Sequence, residues 1–191
     1  PKNWIKDDEF TVISHEGLLR LGFNEEELRS AAGDLQDAIW KDESTKRAKE
    51  GQKNKYDEIL GNAQKYVTDI MLSDLGFDHI SVDEVHNFRK IFQGAKPENL
   101  DENGAPVGRK RYGNVVGGTP SKRAQQLFLI SQYIQKKNNN RNVFLASATP
   151  FENHATEVYN ILSLVARDRM KQMGILNIND FFSVFANFEV E

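Results

Sequence analysis

The apolar positions of this chain change period several times, and each change predicts an element. Phe10-Thr11-Val12-Ile13-Ser14 is β-branched and uncharged, which predicts a buried strand. After Gly22 the period becomes helical: Leu28, Ala31, Ala32, Leu35 and Ile39 fall on one face. Asn24 and Glu27 have capping-box spacing at the start of that helix, and Phe23 with Leu28 can form its hydrophobic staple. Residues 41–55 are mostly charged or polar around Gly51 and predict a solvated helical arm. A second helix is predicted from Tyr56 to Leu72, with Ile59, Leu60, Ala63, Val67, Ile70 and Met71 inward and a terminator near Gly76.

A short apolar run, Ile80-Ser81-Val82, reads as the next strand. Residues 93–118 lose periodicity and gather glycine and proline, which predicts a long flexible insertion. Thr119 followed by Pro120 predicts the start of a helix whose stripe is Leu127, Ile130 and Ile134. Asn138-Asn139-Asn140 reads as a turn and 142–146 as a strand. A last long helix over 153–165 would bury Val158, Ile161, Leu162 and Val165. Phe181, Phe182, Phe185 and Phe188 recur at helical spacing and read as core; Trp4 and Trp40 read as packing at element edges. Strands separated by helices imply parallel pairing and an α/β layer architecture.

Composition narrows the class. With 39% hydrophobic and 28% charged residues among 191, the chain can build a core and is not of the disordered kind. No cysteine is present, which removes disulfides and thiolate metal sites and points to a reducing cytoplasm. No apolar run is long enough to span a bilayer. A first residue other than Met suggests a piece of a longer polypeptide. The net charge of −3 means that a nucleic acid would have to meet local basic patches. Two such patches stand out. Arg109-Lys110-Arg111 lies beside Tyr112 in the predicted insertion, and Lys122 with Arg123 lies in a first helical turn, where the macrodipole disfavours cations.

The candidate chemistry sits at two strand ends. Asp83-Glu84-Val85-His86 follows the first short strand, and Ser147-Ala148-Thr149-Pro150 follows the second. Ligands of open α/β sheets bind outside the carboxyl ends of strands. A carboxylate there can hold a hard cation, an adjacent one can orient water, and a hydroxyl on the next strand end can answer a histidine. Adjacent residues on a strand face opposite ways, so the acid pair must lie where the strand gives way to a loop.

In that combination the residues resemble the first RecA-like lobe of a superfamily 2 helicase or translocase of the Snf2-like branch. Asp83–His86 looks like its motif II, Ser147–Pro150 its motif III, Thr11–Glu16 its motif Ib, and Asn87-Phe88-Arg89-Lys90 its extension of motif II. The stretch from Tyr159 through Gly174 to Phe185 also resembles large helicase–DNA methylase proteins of phages and conjugative elements. The resemblance implies a three-layer RecA-like parallel sheet, incomplete over 1–191, as one partial domain with a helical arm and an inserted loop. It implies a parent that couples ATP hydrolysis to movement on DNA, with Mg²⁺ at Asp83, catalytic roles for Glu84 and His86, and coupling through Ser147, Ala148 and Thr149. It further implies DNA contacts from Ser14, His15, Arg109, Lys110, Arg111, Lys122 and Arg123. The chain departs from the family in lacking any G-x-x-x-x-G-K-[ST] and any second lobe. Those parts would be its partners, and the chain alone should neither bind ATP well nor hydrolyse it. No methylase motif of the Asn/Asp-Pro-Pro-aromatic type is present. The alternative is a non-catalytic α/β module that binds nucleic acid or protein, with a structural acid pair. No sequence feature sets the oligomeric state.

Overall fold

The computed structural model describes residues 10–39, 53, 56–63, 70–92, 120–152 and 154–185. The predicted arm at 41–55, the insertion at 93–118 and its Arg109, Lys110, Arg111 and Tyr112 lie essentially outside those residues, as do Trp4, Trp40 and Phe188.

Helix α1, Glu25–Ile39, begins on the expected capping box. The Glu27 amide donates to Asn24 Oδ1 at 2.9 Å, and the Asn24 amide donates to Glu27 Oε2 at 2.8 Å. Two amide groups that a helix start leaves orphaned are thereby satisfied. Asn24→Ala should cost about 1 kcal/mol of stability, read as a lower urea midpoint.

Residues 56–63 form α2. Residues 64–69, with the predicted inward Val67, lie outside the described residues, and the predicted helix does not run unbroken to Leu72. Ile70 and Met71 are not helical: Met71 bridges Gly22, whose amide donates to the Ile70 carbonyl at 2.9 Å while the Leu72 amide donates to the Gly22 carbonyl at 2.9 Å. A short helix α3, Leu72–Leu75, follows and stops at Gly76, which takes the left-handed φ of 67°.

Strand β1, Ile80–Val82, pairs in parallel with β2, Val143–Leu145, in the register Ile80–Val143, Ser81–Phe144 and Val82–Leu145. Parallel neighbours need a crossover, and it contains the long helix α4, Lys122–Lys137. That helix begins at Lys122 behind Ser121, two residues beyond the expected Pro120 start. The Ser121 amide donates to the Lys90 carbonyl at 2.8 Å instead of entering the helix.

The predicted buried strand at Phe10–Ser14 is a correction. The segment pairs with no described strand, and Phe10 and Val12 are fully exposed. β-Branched composition favours a pleated, half-buried surface, and among the described residues no neighbouring strand supplies one. The described residues thus form a mixed α/β fold, mostly helical, with a two-stranded parallel sheet; a three-layer RecA-like sheet is not among them.

Helix α4 is the centre of the core. It packs against α1, α5 (Ala155–Val165), β2 and both short 3-10 turns, Gly17–Arg20 and Val85–Phe88. Its buried glutamines are all used: Gln125 donates to the Ile91 carbonyl, Gln126 to Leu21 at 2.7 Å, Gln132 to Ser163 at 3.2 Å and Gln135 to Leu164. Buried amides are stable only with such partners, and these tie the central helix to backbone outside it.

Helix α5 buries more than the side its apolar spacing predicts, and its most covered residues lie off that stripe. Thr156, Glu157, Tyr159, Asn160, Ser163 and Leu164 are buried, while Leu162 is exposed and Val158, Ile161 and Val165 are only partly covered. The polar members of the buried side satisfy loop backbone and a guanidinium, so hydropathy alone finds only part of the buried face.

Helices α6, Arg167–Gln172, and α7, Ile178–Phe185, close the fold. Arg167 is buried and donates to the Leu176 carbonyl at 2.7 Å and to the Tyr159 hydroxyl at 3.2 Å. Burial pushes the Tyr159 hydroxyl pKa up, against the pull of Arg167 beside it. Asn177 and Asp180 make a second reciprocal cap at α7. Phe181 and Phe182 are core as expected, whereas Phe185 is exposed and leans on Phe181.

Candidate functional site at the strand ends

The backbone pairing runs one residue past β2, to Ala146. The Ala146 amide donates to the Val82 carbonyl at 2.8 Å, and the Val85 amide donates back to the Ala146 carbonyl at 3.0 Å. Between those two bonds the first chain must make room for Asp83 and Glu84. Glu84 does so with left-handed backbone, φ 52° and ψ 50°, where a side chain is disfavoured. Asp83 Oδ1 accepts from the Glu84 amide at 2.9 Å and holds the turn. Val85 and Phe88 of the following 3-10 turn are buried and anchor it from below.

Three of the side chains singled out from sequence meet here. His86 Nδ1 lies 3.0 Å from Glu84 Oε2 and 3.3 Å from Ser147 Oγ. Ser147 Oγ also accepts from the Thr149 amide at 3.2 Å. Asp83, Glu84, Ala148 and Thr149 are exposed. A serine–histidine–carboxylate relay uses both ring nitrogens, one for each partner. Here a single nitrogen faces both, so His86 ties two strand ends together and does not form such a relay. Among the described residues no three histidine or acidic side chains converge as a metal site.

The left-handed turn makes a specific expectation. Glu84→Gly keeps the backbone conformation and Glu84→Val opposes it. In denaturant unfolding the valine variant should be less stable than the glycine variant by about 2 kcal/mol. Equal midpoints would remove the backbone argument.

The residues after the turn are clamped by α5, a feature missed in the sequence. Arg89 Nη2 is 3.1 Å from Glu152 Oε2, and Arg89 Nε is 3.2 Å from Glu157 Oε1. Glu157 Oε2 accepts from the Glu152 amide at 2.9 Å. Asn160 donates to the Arg89 carbonyl at 2.9 Å and accepts from the Phe92 amide at 3.3 Å. One helix therefore fixes both the segment leaving β1 and the one leaving β2. The readable signal was an acid and an amide three residues apart, Glu157 and Asn160, inside an otherwise apolar helix.

Three of the other predicted contact residues, Ser14, His15 and Arg123, make interactions within the chain. Ser14 Oγ accepts from the Gly17 amide at 3.0 Å, and His15 packs edge-on against Phe88 with ring centres 4.9 Å apart. Arg123 lies over the Phe88 ring at 5.8 Å and 3.4 Å from Glu16. Its place in a first helical turn is thus answered by a carboxylate and a ring from this chain. Lys122 is exposed.

No protein-family model matches this chain, and no solved structure matches it. It is similar to Defense against restriction protein B of Escherichia phage P1, with 28% identity over 130 residues. The match covers 68% of this chain and 5% of that protein, so the chain spans about a twentieth of its relative's length.

These findings correct the motor reading. The relative is named for defence against restriction, no helicase family or helicase structure matches, and the described sheet has two strands. The Snf2-like assignment goes, and with it the helicase, ATP hydrolase and DNA-movement functions drawn from it. The physical reason lies in the tetrapeptides themselves. An acid pair and a Ser-x-Thr at strand ends also serve as turn-forming groups, and each is engaged here in holding its own turn. No helix among the described residues is long and apolar enough to cross a membrane.

Proposed function

We propose that this chain is a non-catalytic α/β binding module, and that the exposed face at the carboxyl ends of β1 and β2 is where a protein partner docks. The observation that carries this reading is the mutual engagement of Asp83, Glu84, His86 and Ser147. Groups that hold one another in place make a rigid, pre-organised surface, and rigidity lowers the cost of association. Asp83 and Glu84 remain open to solvent on it, with Phe151 and Glu152 exposed where the second segment leaves. Exposed carboxylates repel phosphate, which favours a protein over a nucleic acid at this face. The similarity to a protein named for defence against restriction supports a role for this chain in the same contest, with a restriction enzyme as the partner.

The test uses the full-length protein and two probes, purified restriction enzymes and duplex DNA, in a surface-binding assay. Charge reversal of the pair, Asp83→Lys with Glu84→Lys, should weaken binding to a restriction enzyme by about tenfold. An unchanged thermal melt would confine the effect to the surface. Unaltered affinity in the variant would overturn the reading, as would binding of duplex DNA alone.

A further inference from the structure

We draw no further inference here: the strongest candidate, the solvent-facing side of the β1–β2 sheet where Phe144 lies beside Ser81, is an unpartnered apolar face, and nothing in the structure shows what covers it.

Discussion

Glu157→Ala should destabilise the chain by about 3–5 kcal/mol, the cost of leaving one member of a buried ion pair without the other. Glu157 is buried, its side chain 2% exposed, and Arg89 facing it is 15% exposed, so neither charge is well solvated. The carboxylate also accepts from the Glu152 amide, so its removal orphans a backbone donor as well. Glu152 is half exposed and offers Arg89 only a weaker, screened partner. Urea unfolding should place the midpoint well below that of the parent chain, and amide exchange should quicken first in residues 83–92. Removing both charges, Arg89→Met with Glu157→Leu, should cost clearly less than Glu157→Ala alone, because no unpaired charge is then buried. A double variant as unstable as the single one would mean that packing, not charge, sets the cost.

That clamp marks how far the sequence could be read. Periodicity located α1, α4 and both strands of the sheet, because their signals are local: a capping box at Asn24, an apolar stripe through Leu127 and Ile134, and short apolar runs. It placed the inner side of α5 only in part, for a reason that is not local. Glu157, Asn160 and Ser163 are buried because Arg89, Phe92 and Tyr159 present groups that need them, and those groups lie elsewhere in the chain or one turn away. Phe10–Ser14 failed in the opposite direction. Its composition suits a strand, but strand formation depends on a neighbour that composition does not contain.

The candidate site divides the same way. The sequence placed the acid pair at the point where a strand becomes a loop, and both carboxylates are there. His86 meets Ser147, one of the hydroxyls expected from the next strand end; the two are 61 positions apart, and the parallel register of β1 with β2 brings them together. The function inferred from those tetrapeptides rested instead on their similarity to motifs in other proteins. Side chains that stabilise a left-handed turn and side chains that perform chemistry can share one spelling.

Phe128→Ala should cost about 3–5 kcal/mol, the range for deleting a buried aromatic ring and leaving a cavity. Phe128 lies on the central helix and is fully buried. Its ring meets Phe92 edge to face with centroids 5.1 Å apart, and Phe92 leans on Tyr159 at 6.0 Å. The contact therefore joins α4 to the segment that leaves the candidate site and to α5. Glutamine tethers at Gln125 and Gln132 hold α4 against the same neighbours, so the helix cannot simply slide in to fill the space. For a chain of this size the melting temperature should fall by roughly 10 °C. Phe144→Ala is the contrast, since Phe144 is 60% exposed on β2 and should shift stability by no more than about 0.5 kcal/mol. If the two alanine variants melted together, α4 would not be the centre of the fold, and the rigidity claimed for the strand-end face would lose its support.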